Sequence, residues 1–139
     1  MSDAPPAEKT VHHVAVAVRD IEAALAFYRD KLGLEVEKRA VLPDQGAEVA
    51  LLALANSRIE LVQPLSNDGS LARFIERRGE GLHHICLTTP DIRAAMTALH
   101  DRGVETIETE PRTGIDGLVC FIHPREHAGV LVELVEVGS

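Results

Sequence analysis

The chain has 139 residues, 45% of them hydrophobic and 26% charged, with a formal net charge of −8; these are globular proportions, and the length suffices to bury one core without metal or disulfide staples. The negative charge repels phosphate backbones and the 3% aromatic content offers no stacking platform, which argues against nucleic acid as a partner. No stretch approaches the roughly 20 apolar residues of a membrane span, so no membrane partner is expected.

Residues 1–10, MSDAPPAEKT, predict a flexible tail; they lack the basic stretch and apolar core of a secretion signal, and a cytoplasmic location is expected. The domain then runs over 11–139. A β-branched run from His13 leads to Asp20, a helix-capping residue, and to an alanine-rich helix over Ile21–Leu32 that stops at Gly33. Strand-like segments follow at Glu35–Val41, Glu48–Leu54 and Arg58–Val62. Residues 67–78, with Leu71, Phe74 and Ile75 at helical spacing, predict a linker helix. The pattern then starts again at His84, with Asp91 as cap, a helix over Ile92–Arg102, Gly103 as stop, and strands at Glu105–Glu108, Leu118–Ile122 and Val130–Val137.

The two copies are in register: His13 with His84 and Asp20 with Asp91 share an offset of 71 residues (84 − 13 and 91 − 20). Each copy is βαβββ, about 11–65 and 82–137, and each alone leaves an open, one-sided sheet. The predicted class is therefore α+β, two tandem modules forming one curved mixed sheet around a site. Cys86 and Cys120 lie in apolar runs and are expected to be buried reduced thiols.

Strand alternation puts His13 with Ala15 and Ala17 on one face and His12 with Val14, Val16 and Val18 on the other; His84 and His83 are divided in the same way. His13 and His84 thus face a surface of small side chains with room for a ligand, whereas His12 and His83 point away and are given structural roles. His100, His123 and His127 have no repeat partners. In the last strand of each copy Glu60 stands between Ile59 and Leu61, and Glu133 between Val132 and Leu134. A carboxylate in such a strand is costly unless paired or metal-bound. Four equivalent residues, His13, Glu60, His84 and Glu133, therefore predict one divalent ion per chain. An octahedral ion so held keeps two positions for water or substrate, which suits Co2+, Ni2+, Mn2+, Fe2+ or Zn2+.

The segments HVAVAV (13–18), FYRDKLG (27–33), PDQG (43–46), RIELVQPL (58–65), GEGLHHI (79–85) and GVLVELVE (129–136) resemble the glyoxalase/bleomycin-resistance/dioxygenase superfamily, and within it the methylmalonyl-CoA epimerases, over about 11–137. The resemblance implies a glyoxalase-like fold with His13, Glu60, His84 and Glu133 at the family's metal positions and Co2+ as the first ion to expect. It also implies a CoA thioester substrate, a homodimer, and inversion of (R)- and (S)-methylmalonyl-CoA at C2 through a metal-stabilised enolate. Glu133 is the better match to a catalytic base and Glu48 the weaker one: certain epimerases carry a glutamate where Val49 stands, and parity turns Glu48 the other way. Gln45 is assigned to substrate binding. The alternatives are lactoylglutathione lyase, which uses a similar ligand set with glutathione as carrier, and a metal-free small-molecule binding protein of the same fold.

Overall fold

A strand that alternates small and branched residues, followed by a capped amphipathic helix and three more strands, has one way to bury its apolar stripe: the helix lies across one face of its own sheet. Both copies do this in the computed structural model, which describes residues 9–137; of the predicted tail, residues 1–8 lie outside the described residues. Contacts divide the described residues into two units, one of residues 13–85 and one that joins residues 9–12 to residues 86–137.

In the unit of residues 13–85 the elements are β1 (Val11–Ala17, entering the unit at His13), α1 (Ile21–Tyr28), β2 (Glu35–Leu42), β3 (Ala47–Ala53), β4 (Arg58–Pro64), α2 (Ser70–Arg78) and the beginning of β5 (Gly81–Thr89). The strand order is β2-β3-β4-β1. β1 runs parallel to β4 with Ala15 opposite Glu60, and the other pairs are antiparallel with Leu51 opposite Glu60 and Val49 opposite Val62. Val18, Ile21, Leu25, Ala50, Leu52 and Leu61 form the buried layer between α1 and the sheet, with Val16 packed against it. The Asp20 side chain accepts from Glu22 N, and Ile21 N donates to Gln63 Oε1 at 2.8 Å. The helix ends at Tyr28, short of the predicted Leu32. Asp30 N and Leu32 N each reach back five residues, to the carbonyls of Leu25 and Phe27, which widens the last turn before Gly33, at φ +84°, reverses the chain.

The other unit contains the rest of β5, α3 (Ile92–Asp101), β6 (Arg112–Thr113), β7 (Leu118–Ile122) and β8 (Val132–Glu136). β7 lies antiparallel between β6 and β8. Ile92, Met96, Cys120 and Leu134 are buried between α3 and this sheet. The capping repeats: Asp91 accepts from Ala94 N, and Ile92 N donates to Glu136 Oε1 at 2.9 Å. The strand expected at Glu105–Glu108 is reduced to one bridge, Thr106 with Ile122. Its last residue turns away from the ladder, Glu108 using its carboxylate to accept Phe121 N at 2.8 Å. The antiparallel partner of β7 is instead the short β6, which the sequence did not suggest. Both copies are thus βαβββ, and the class is α+β as expected. Among the described residues no helix is long and apolar enough to cross a membrane.

Candidate metal centre

Parallel pairing of Ala15 with Glu60 fixes which side chains share a face. His13, two residues before Ala15, lies on the Glu60 side of the sheet, away from the α1 core layer. His84 enters the same surroundings from β5. All three are buried, at 3%, 6% and 7% exposure for His13, Glu60 and His84. His13 Nε2 and His84 Nε2 stand 3.2 Å apart, and Glu60 Oε1 lies 3.4 Å from the first and 3.8 Å from the second.

These separations test whether the residues fit a cation. An ion with bonds of about 2.1 Å places neighbouring donors about 3.0 Å apart in an octahedron and about 3.4 Å apart in a tetrahedron. The observed triangle, 3.2 to 3.8 Å on its sides, needs its longest side to contract by about 0.4 Å for a tetrahedral ion and about 0.8 Å for an octahedral one. The donor types fit as well, since two imidazoles and a carboxylate suit a borderline divalent metal. His13 and His84 both lie within ion-pair reach of Glu60, and a carboxylate buried to this degree is expensive unless it is paired or metal-bound.

His84 turns its other nitrogen toward His83, with 2.8 Å between the two Nδ1 atoms. The His83 ring meets Phe74 of α2 edge-on, 4.7 Å between centroids, and the Arg78 guanidinium lies 5.6 Å from the Phe74 centroid. Parity therefore assigned His83 to a packing position correctly but missed its reach to His84.

Glu133 belongs to the other unit, on β8 opposite Phe121 of β7, and is 4% exposed. In that unit burial, and then the charges of Glu108 and Glu133, push the Cys120 thiol up to about 12. Both cysteines are buried free thiols, as the sequence predicts. His12 is buried too, its Nε2 3.0 Å from Asp116 Oδ2; Asp116 has no counterpart in the first copy, so the repeat gave no signal for it. His100 bonds Thr106 Oγ1, and His123 Nδ1 accepts Arg125 N in a short turn.

Glu48 is not brought to the triangle. In β3 it pairs with Gln63, one position out of phase with the Leu51–Glu60 pair, so it lies on the helix side of the sheet. There it meets Arg39 Nη2 at 2.9 Å, and the same guanidinium binds Glu22 of α1. Those hydrogen bonds, Glu22 first and Glu48 second, raise the Arg39 pKa. Gln45 is half-buried in the turn Pro43–Gln45, which closes on Gly46 at φ +65°.

The family model described as Glyoxalase/Bleomycin resistance protein/Dioxygenase superfamily matches residues 12–121. Ethylmalonyl-CoA/methylmalonyl-CoA epimerase of Cereibacter sphaeroides is 42% identical over 130 residues, 91% of this chain and 97% of that protein. Mitochondrial methylmalonyl-CoA epimerase of Homo sapiens is 39% identical over 126 residues, 89% of this chain and 72% of its own length. A variant of Streptomyces coelicolor methylmalonyl-CoA epimerase, solved in complex with 2-nitronate-propionyl-CoA, superposes with a TM-score of 0.89 at 33% identity, covering 94% of this chain and 95% of that one.

Proposed function

From the premise that the chain belongs to the glyoxalase/bleomycin resistance protein/dioxygenase superfamily and, within it, to the methylmalonyl-CoA epimerases, which are isomerases, we propose that it inverts C2 of methylmalonyl-CoA by metal-dependent proton transfer. The observation that carries the metal half of this reading is the convergence of His13 Nε2, His84 Nε2 and Glu60 Oε1 within 3.8 Å of one another. The duplicated sequence supplies Glu133 as the fourth ligand. Co2+ is the first ion to try, with Ni2+, Mn2+, Zn2+ and Fe2+ behind it. When bound, such an ion supplies positive charge to oxygens that become anionic during the reaction.

The chemical obstacle is a weakly acidic C–H between a thioester and a carboxylate, so the chain must move a proton at C2 and stabilise an enolate. Glu133 is the carboxylate we assign to proton transfer. Return of a proton to the opposite face needs a second base or a water. Glu48, the other carboxylate suggested by the resemblance, would first have to leave Arg39 and the helix side of β3. Gln45 is assigned a hydrogen bond to the substrate. Support for a CoA thioester comes from the Streptomyces coelicolor relative, whose bound ligand is one. We further propose a cytoplasmic homodimer; the exposed Phe27 and Leu82, at 53% and 73%, are apolar side chains that a second copy would cover.

The test is isotope exchange. One epimer of methylmalonyl-CoA, incubated with metal-loaded protein in deuterated water, should yield the opposite epimer with deuterium at C2 and an intact thioester. Absence of deuterium in a preparation holding about one divalent ion per chain refutes the proposal. Brisk turnover of the hemithioacetal of methylglyoxal and glutathione in that preparation would replace it with the glyoxalase alternative.

A further inference from the structure

Adjacent residues of a strand point to opposite faces, yet the ring atom nearest the backbone, Nδ1, can still meet its neighbour across the strand. His83 and His84 do this, with 2.8 Å between their Nδ1 atoms. A neutral imidazole carries one N–H and one lone pair, so a contact this short requires a hydrogen on one Nδ1 and a lone pair on the other. Two arrangements satisfy it, and they have opposite consequences at the far side of the His84 ring. If His84 holds its hydrogen on Nδ1, its Nε2 presents a lone pair toward His13 Nε2 at 3.2 Å and Glu60 Oε1 at 3.8 Å. If His83 is the donor, His84 carries its hydrogen on Nε2 and cannot ligate there.

We propose that His83 is a positioning residue whose Nδ1 accepts the His84 Nδ1–H and thereby keeps the His84 Nε2 lone pair aimed at the site shared with His13 and Glu60. This deepens the metal-dependent reading above and rests on it. The His83 ring is itself held: it meets Phe74 of α2 edge-on at 4.7 Å with a 78° interplanar angle, and Arg78 stands 5.6 Å from the Phe74 centroid. The linker helix α2, which supplies no candidate ligand, thereby orients a ligand through two rings. Partners of this type, donating to or accepting from the non-ligating nitrogen of a histidine, typically change metal affinity about 10- to 100-fold.

The experiment uses the full chain labelled with 15N and loaded with Zn2+, a diamagnetic probe. Long-range imidazole 1H–15N spectra should show His84 as the Nδ1–H tautomer, His83 as the Nε2–H tautomer, and a scalar coupling between the two Nδ1 atoms. His83→Ala should lower Zn2+ affinity about 10- to 100-fold. His83→Asn, whose Oδ1 stands near the lost Nδ1 and accepts a hydrogen bond, should recover most of that loss. A hydrogen on His83 Nδ1 in the loaded wild type, or an alanine variant that binds Zn2+ as tightly as wild type, overturns the proposal. If the alanine variant fails to fold, the wild-type spectrum and the asparagine variant decide it. If the wild type binds neither Zn2+ nor Co2+, Ni2+, Mn2+ or Fe2+, the metal-dependent reading falls by itself, and a hydrogen on His83 Nδ1 in the metal-free spectrum independently overturns the positioning role.

Discussion

Replacing Glu60 by alanine removes one corner of the donor triangle, the oxygen 3.4 Å from His13 Nε2 and 3.8 Å from His84 Nε2. Loss of an outer partner of a metal ligand already costs up to about 100-fold in affinity, so loss of a charged ligand should raise the dissociation constant by at least about that factor. Metal binding stabilises the folded state in proportion to the logarithm of one plus the ratio of free ion to dissociation constant: at free Zn2+ about 100 times the wild-type dissociation constant, the wild type gains about 2.7 kcal/mol and the variant, near half saturation, about 0.4 kcal/mol. For a chain of this length 1 kcal/mol corresponds to about 3–5 °C. Zn2+ should therefore raise the wild-type midpoint by about 8–13 °C and that of Glu60→Ala by about 1–2 °C. The assay is thermal unfolding by circular dichroism of chelator-stripped protein with and without Zn2+; each variant serves as its own reference, so any change in intrinsic stability drops out. Equal increments in the two proteins would refute Glu60 as a ligand.

Glu48→Gln should leave Zn2+ binding unchanged and cost at most about 1 kcal/mol of stability, the value of a partly exposed ion pair; abolished isotope exchange with metal retained would place Glu48 in the reaction after all. Gln63→Ala deprives Ile21 N of its acceptor and Glu136→Ala does the same to Ile92 N. Urea unfolding should register about 1 kcal/mol for the neutral acceptor and about 1.5–3 kcal/mol for the charged one at a helix N-terminus. The Cys120 thiol, pushed up to about 12 by burial, has a folded pKa above its unfolded value near ~8.5. Its contribution to stability is complete below the unfolded value and is lost as pH rises toward the folded one. The urea midpoint should fall over that window, and fall less steeply in Cys120→Ala; identical slopes would contradict the burial argument.

Much of the fold and part of the site were legible in one sequence because this chain carries its own internal comparison. The repeat located both capped helices and most strands, since capping aspartates, helical spacing and strand alternation are local signals that recur 71 residues apart, as Asp20 and Asp91 do, and helical spacing of Leu71, Phe74 and Ile75 located the linker helix. It also selected His13, Glu60 and His84, which strand parity directs to one face. Local signals could not find β6 or shorten the strand at Glu105–Glu108, because Glu108 leaves the ladder to hold Phe121 N, a partner 13 residues away. Nor could they end α1 at Tyr28, where competing carbonyl acceptors decide the matter. The separation of Glu48 from the site was foreseeable from parity, but its attachment to Arg39 and Glu22 was not. Parity likewise placed His83 outside the ligand set while concealing its 2.8 Å contact with His84. Alternation determines the face a Cβ leaves from; only packing in three dimensions determines which ring atom ends within hydrogen-bond distance of which.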